Sequence, residues 1–401
     1  MKKRIVLSTY NGFPDRNVGG PNKVVFEMLN SESYVNFDYL FVSESFQYNF
    51  QSTDDIINYK SAISSSVKLG NSLYNQQKIY RKIVQHPIYL RYFHSKARKK
   101  LKKKSTTLLN YDLFHAHDVY SYRCLYKSRV PSILSIHSKG PIIQELVSNY
   151  GSSKILKQYI TNLDKDELKI LDYTDFITFP SYAAMDLFCE LKGIGKKSNF
   201  RVVYNGIDIK YIESVKPINF TLGLPYTPDI KILSVSEHTK EKNIDKLILS
   251  IQVLKEKYSI KPYCIIVGKG YLTDSLRKIV EEKKLKEEIY FVPFLNNDEI
   301  IGLMKACDIF LMTSENVVFD MVILEALASG TTIIANNKGG NKEIIKNGIN
   351  GYLFEELTPD YIAQIIFSSR KISYEKIYNS ILPFSVSQMS ENYHNIYREL
   401  I

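Results

Sequence analysis

Short apolar runs, several of them continuously apolar, separated by segments of helical spacing recur along nearly the whole of this 401-residue chain, and no other feature narrows the fold as much. The runs lie at 4–9, 37–42, 113–116, 132–137 and 176–179, and again at 231–235, 263–267, 289–292, 309–312 and 332–335. A strand with water on one face alternates apolar and polar residues. A strand covered on both faces, as in a parallel sheet flanked by helices, does not. Between the runs the period becomes helical: within 243–258, Ile244, Leu247, Ile248, Ile251 and Leu254 form one stripe. This alternation predicts a doubly wound parallel α/β architecture. Pro217, Pro225 and Pro228 interrupt the pattern. They divide the chain into halves at 1–208 and 231–382, with a linker at 209–230. Residues 383–401 form a final helical segment able to pack back onto the first half.

The rest of the composition removes whole classes of protein. Cys124, Cys189, Cys264 and Cys307 are far apart in sequence and form no C-x-x-C pair, so neither a disulfide framework nor a structural zinc site is expected. The apolar run after Met1-Lys2-Lys3-Arg4 is too short for a secretory leader, and no stretch approaches the roughly 20 apolar residues of a membrane span. A cytoplasmic chain, soluble or peripheral on the inner face of the membrane, is expected. The net charge of +11 calls for an anionic partner.

The charge is concentrated. From residue 56 to 111 there is no Asp or Glu, and Lys78, Arg81, Lys82, Arg91, Lys96, Arg98, Lys99 and Lys100 lie among Tyr, Phe, Ile and Leu. Cations interleaved with bulky apolar residues suit an anionic bilayer interface. A solvated basic helix with core residues beneath it has the same pattern. Nucleic acid is the weaker reading, because no binding module accompanies the segment.

The densest chemistry lies between 308 and 354. There the run at 309–312 enters a loop containing Glu315 and Phe319-Asp320-Met321-Val322-Ile323-Leu324-Glu325-Ala326, followed by Gly339-Gly340-Asn341-Lys342-Glu343. A strand running through a loop into a helix presents free N–H groups and a partial positive charge, suited to phosphate. Met321 and Val322 would supply those amides. Glu325, one turn further in, would accept hydrogen bonds from ribose hydroxyls.

This stretch resembles the C-terminal signature of glycosyltransferase family 4, the "glycosyl transferases group 1" proteins. The resemblance continues through Gly19-Gly20, His115-Ala116-His117-Asp118, Ile136-His137-Ser138, Asn205-Gly206-Ile207-Asp208 and Val267-Gly268-Lys269-Gly270, in family order. It implies a GT-B fold of two Rossmann-like domains facing across a cleft. It also implies transfer of a sugar, with retention, from a nucleotide diphosphate donor, a UDP-sugar being favoured, to a lipid-linked or cell-surface glycan acceptor. No cofactor is implied. No Asp-x-Asp pair precedes a sugar site, so no metal is expected. The resemblance places His117 in the active cleft, and Asp320, which occupies a family glycine position, is expected to join it in catalysis. Gly19, Gly20, Lys242, Phe294, Phe319, Met321, Val322 and Glu325 are expected to bind the donor, with Glu315 added as a substitute for a family residue.

The chain departs from the family pattern at two positions. Glu237 stands where the family has a diphosphate-binding Arg, and Val317 where it has the first Glu of a spaced pair. An acid in place of the Arg forgoes a charge-assisted bond of about 1.5–3 kcal/mol. Lys240 is near enough in sequence to substitute. Glu315 or Asp320 is expected to take over the sugar-hydroxyl contact. These departures leave open a degenerate partner subunit that assists another transferase, and a sugar-nucleotide epimerase on the same fold.

Overall fold

A computed structural model of the chain describes residues 2–10, 12, 14–15, 20–30, 36–44, 47–50, 87–104, 110–126, 130–150, 154–218, 226–315 and 317–401. Gly19, Lys78, Arg81 and Lys82, named above, lie outside the described residues, as does the side chain of Arg91. The chain forms two compact units. One comprises Met1–Tyr204 with Met389–Ile401, the other Asn205–Gln388.

Among the described residues, the first unit is built on a seven-stranded sheet. Its strands are β1 (Lys3–Ser8), β2 (Phe37–Val42), β3 (Gln47–Phe50), β4 (Leu113–Ala116), β5 (Ser132–Ser135), β6 (Phe176–Phe179) and β7 (Phe200–Val202), in the order β3-β2-β1-β4-β5-β6-β7. Every pairing is parallel except β2 with β3. The helices are α1 (Pro21–Leu29), α2 (Pro87–Lys104), α3 (Val119–Leu125), α4 (Ile142–Tyr150), α5 (Lys154–Tyr173) and α6 (Tyr182–Lys192). Their ends are marked chemically. Asp118 caps α3 by accepting the Ser121 N–H at 2.7 Å, and Ser181 caps α6 through the Ala184 N–H at 2.9 Å. Gly193, at φ +67°, closes α6 in the left-handed region.

The second unit begins with α7 (Ile209–Ser214). It continues through β8 (Ile230–Val235), α8 (Ile244–Lys257), β9 (Pro262–Val267), α9 (Thr273–Glu282), β10 (Ile289–Val292), α10 (Asn297–Ala306) and β11 (Ile309–Met312). It ends with α11 (Met321–Ala328), β12 (Thr332–Asn336), α12 (Asn341–Ile344), β13 (Gly351–Phe354), α13 (Pro359–Ser368) and α14 (Tyr374–Ile381). Its described sheet has six parallel strands in the order β10-β9-β8-β11-β12-β13. The stripe predicted on α8 is buried: Leu247, Ile248, Ile251 and Leu254 are closed to solvent, packed with Cys264, Ile266, Leu311 and Ile362. Each such aliphatic contributes about 1.5–3 kcal/mol relative to exposure. The last helix, α15 (Val386–Leu400), belongs to the first unit from Met389 onward.

The strand order places the sites. It reverses between β1 and β4 in the first unit and between β8 and β11 in the second. Open α/β sheets bind ligands at such switch points, outside the carboxyl ends of the strands. Gly20 and His117 follow β1 and β4. Lys242 and the start of α11 follow β8 and β11.

The stretch expected to be an interdomain linker begins with a helix. Residues 209–214 form α7, capped by Asp208, whose carboxylate accepts the Tyr211 N–H at 3.0 Å. Asn205-Gly206-Ile207 pairs with the far end of the same unit. Ile207 donates to the Phe384 carbonyl at 3.0 Å, and Val386 donates back to Ile207 at 2.9 Å. A Cβ on Gly206 would stand 2.6 Å from the Ser385 oxygen, so this crossing needs a residue without a side chain.

Candidate functional site

The site in the second unit is assembled from two loops, each pinned by a glycine turn. After β8 the chain runs through Ser236, Glu237 and His238. The turn Gly268-Lys269-Gly270 lies hard against it, so that a Cβ at Gly268 would fall 1.9 Å from the Ser236 oxygen and one at Gly270 2.3 Å from the His238 oxygen. His238 is buried and its Nδ1 lies 2.9 Å from the Thr273 hydroxyl. A single 3-10 turn, Lys240–Lys242, follows and leads into α8. After β11 the loop 317–319 meets Gly339-Gly340 in the same manner. A Cβ at Gly339, whose φ is +54°, would fall 1.9 Å from the Val317 oxygen, and Gly340 donates to that oxygen at 3.1 Å.

The two loops are tied to each other. The Thr313 hydroxyl donates to the Lys242 carbonyl at 2.7 Å. Asn243 donates through its amide to the Thr313 carbonyl and to the Glu315 carboxylate, each at 3.3 Å. These bonds bring Lys242 to the mouth of α11, with its Nζ 3.9 Å from the carboxylate of Asp320, the residue before that helix. Asp320 makes no capping bond, although an acid at this position ordinarily accepts an N–H of the first turn. One of its oxygens is buried without a hydrogen-bond partner among the described residues. The result is an ammonium, an uncapped helix start and a polar carboxylate at one place. A phosphate oxygen can use the first two, and a hydroxyl can donate to the third.

The other predicted donor residues divide. Glu315 is exposed and joined to Asn243, beside Lys242. Met321 and Val322 are half-buried at the helix start. Glu325 is only 6% exposed and accepts a hydrogen bond from the Asn297 amide at 3.4 Å. Phe294, 68% exposed, stands on the β10–α10 segment three residues before Asn297. Phe319 is buried, with its ring 5.8 Å from that of Phe384. Glu237 is exposed and makes no ion pair with Lys240 or Lys242 among the described residues. Val317 is buried, its carbonyl held by Gly340. Sequence reasoning missed Asn243, Thr313 and Asn297. Each acts through a partner on a distant segment, and nothing local marks it.

In the first unit Gly20, at φ +67°, starts α1 immediately before Pro21, a conformation open to glycine and costly for other residues. His117 is buried. Its Nδ1 lies 3.1 Å from Nε2 of His137, the two rings stack at 5.3 Å, and its own Nε2 has no partner among the described residues. Burial, reinforced by the neighbouring imidazoles, holds the pKa of His117 and of His115 well below the ordinary value. Burial alone lowers His137 to about 4. His117 is therefore neutral at physiological pH and can exchange hydrogen bonds without carrying charge. Behind it, His115 is held at 2.7 Å by both the Tyr397 and the Ser135 hydroxyls, and Ser135 also meets Tyr393 at 3.0 Å. Helix α15 thus braces the histidine strand through buried polar contacts.

On α2, Lys96, Arg98 and Lys99 are exposed, while Ala97 and Leu101 are buried in the unit's own core. The described apolar residues of this helix therefore face inward rather than toward a headgroup layer. Lys100 is bonded to Glu44 at 2.5 Å, which engages its charge within the molecule. Among the described residues no helix is long and apolar enough to cross a membrane, and no three His, Cys, Asp or Glu side chains gather as a metal ion would require.

Two doubly wound α/β units, one with an uncapped helix start beside a lysine, are of the class whose ligands bind at the carboxyl ends of the strands. Comparison with known proteins makes this specific. Residues 219–369 match the family described as Glycosyl transferases group 1, and residues 66–211 match Glycosyltransferase Family 4. The chain belongs to this family of GT-B glycosyltransferases. It is 27% identical over 305 residues to the O-antigen biosynthesis glycosyltransferase WclY of Escherichia coli, covering 73% of this chain and 80% of that one. It is 26% identical over 310 residues to an uncharacterized glycosyltransferase of Methanocaldococcus jannaschii, covering 72% and 74%. In fold it is similar to Anabaena HepE, solved in complex with UDP, with a TM-score of 0.67 at 18% identity over 99% of this chain and 100% of that one. The sucrose-phosphate synthase of Thermosynechococcus elongatus gives 0.69 at 16% identity over 100% and 99%.

Proposed function

We propose that this glycosyltransferase moves a sugar from a UDP-sugar to a lipid-linked or cell-surface glycan acceptor at the membrane, with retention and without a divalent metal. The observation that carries the donor half is the approach of the Lys242 ammonium to the uncapped start of α11. As the bond from the anomeric carbon to the phosphate oxygen breaks, charge grows on the leaving diphosphate. A fixed ammonium and oriented N–H dipoles stabilise that charge more than they stabilise the intact donor, which is what lowers a barrier. The new bond joins the anomeric carbon to the acceptor oxygen, and the acceptor's proton passes to the departing phosphate oxygen on the same face. Asp320 and Glu315 accept from donor hydroxyls, Glu325 holds the ribose, and neutral His117 orients a hydroxyl. UDP as the donor nucleotide is supported by the UDP and UDP-glucose complexes of HepE, and a glycan acceptor by the role named for the E. coli relative. The exposed cations Lys96 and Lys99 of α2 support the membrane association.

Calorimetry with UDP, GDP and ADP tests the donor reading. UDP is expected to bind at micromolar strength and to weaken at least about tenfold in Glu325→Ala, the loss of one hydrogen bond to a charged group. Absence of UDP binding overturns the reading. Turnover unchanged by EDTA is expected, and its abolition refutes metal independence. The anomeric proton of the product, read by NMR, decides retention.

A further inference from the structure

The first unit contains a cavity of about 250 Å³ beside its switch point, lined among the described residues by Tyr10, Tyr120, Tyr159, Arg98, Arg123 and Asn162 together with smaller groups. Tyr10 follows β1, and Tyr120 opens α3 just beyond β4. Asp118 fixes both. One of its oxygens accepts the Tyr10 N–H at 2.5 Å and the other caps α3 through Ser121. The Tyr10 and Tyr120 rings lie 5.0 Å apart, tilted by 40°. This platform is adjacent in sequence to His117. The far wall comes from α2 and α5. Arg123 pairs with Asp166. Arg98, by contrast, makes no ion pair or hydrogen bond among the described residues, and no carboxylate is among the described lining.

We propose that this cavity receives an anionic saccharide unit of the acceptor, a sugar ring bearing a carboxylate or a phosphate. The inference rests on the transferase reading above and adds the chemical class of its acceptor. Aromatic rings take the apolar C–H face of a sugar while a few convergent polar groups fix its orientation. The Asn162 amide can meet a ring hydroxyl. A guanidinium with no hydrogen bond or ion pair among the described residues is the group suited to a carboxylate or phosphate, which it can hold by two parallel hydrogen bonds. The volume is below the roughly 300–1,000 Å³ of drug-sized sites, so the cavity suits one ring rather than an oligosaccharide. Arg98, which the sequence pattern groups with the membrane-facing cations, is thereby given a substrate instead.

The test titrates the full chain with methyl glucuronide, glucose 1-phosphate, methyl glucoside and inorganic phosphate, followed by calorimetry or ligand-observed NMR. At least one of the two anionic sugars is expected to bind at least about 10-fold more tightly than methyl glucoside and inorganic phosphate, the preference between them identifying the carboxylate or the phosphate source. Arg98→Gln is expected to remove that advantage, Arg98→Lys to keep part of it, and Tyr120→Ala to weaken anionic and neutral sugars alike. Melting temperatures of the variants check that each has folded. Equal binding of neutral and anionic sugars overturns the proposal, as does inorganic phosphate binding as tightly as the sugars, or an Arg98→Gln protein that binds them unchanged. UDP titrated into the unmodified protein reports the donor half separately. UDP binding without sugar binding sinks the acceptor inference alone, and loss of both sinks the transferase reading with it.

Discussion

Replacing Lys242 with Met removes one charge from the mouth of α11 while leaving the aliphatic stem and the backbone ties to Thr313 in place. The ammonium lies 3.9 Å from Asp320, with 19% and 30% of the two side chains exposed. Two unit charges at that separation attract by about 1 kcal/mol in water and about 4 kcal/mol at an effective dielectric near 20. Part of that attraction is given up when Lys242 turns to a diphosphate. The diphosphate gains a charge-assisted bond of about 1.5–3 kcal/mol, so Lys242→Met should weaken UDP about 10- to 150-fold. Turnover should fall further, because the leaving group carries more charge in the transition state. Asp320→Asn should act in the opposite sense on the nucleotide. It frees Lys242 and removes a carboxylate beside phosphate, raising UDP affinity by up to about tenfold while lowering turnover, since the proposed sugar contact is weakened. Isothermal calorimetry with UDP on the two single variants and the double variant, with initial rates alongside, reads both effects. A Lys242→Met protein that binds UDP within twofold of the parent refutes the reasoning, as does an Asp320→Asn protein with lowered UDP affinity.

Three further outcomes are expected. Buried His115, His117, His137 and His394 have lowered pKa values, about 4 for the last two. Below about pH 6.5 the unfolded chain therefore binds protons that the folded one refuses, and stability should fall from pH 6.5 toward 4 by at most about 1.4 kcal/mol per pH unit for each titrating histidine. Urea midpoints that do not move between pH 7.5 and 5 refute this. Gly339→Ala places a side chain at φ +54° and against the Val317 oxygen. It should cost at least about 1–3 kcal/mol and displace the loop before α11, seen as a lowered melting temperature together with lost UDP binding; retention of both is the refuting result. The chain should co-sediment with anionic vesicles and not with zwitterionic ones. Lys96→Gln with Lys99→Gln should remove about 2 kcal/mol, roughly 30-fold, and equal binding to both vesicle types counts against membrane association.

The fold was largely legible. All ten apolar runs are strands, and the helix expected at 243–258 is α8. The strands that went unread, β3, β7 and β13, all lie at sheet edges. An edge strand has a ladder on one side only and incomplete cover, so its sequence need not be continuously apolar. Gln47-Tyr48-Asn49 in β3 and Arg201 in β7 show this directly. The strand, loop and helix start around Met321 were legible because their chemistry is local. The site was not legible where a side chain's role depends on a distant partner. Phe319 reads like a donor residue and packs on Phe384. Lys100 reads like a membrane cation and binds Glu44.

From its residues alone this chain determines the alternation of strand and helix, the positions of its turns and the family to which it belongs, because periodicity, glycine and capping chemistry act over a few residues. Tertiary structure decided which of the candidate groups share a place. Lys242 and Asp320 are 78 residues apart in number and 3.9 Å apart in space, because β8 and β11 are neighbours in the sheet. Arg98 and Tyr10 line one cavity because α2 packs beside α3. Electrostatics and hydrogen bonds act over a few ångströms, and only the packing of the elements sets those distances.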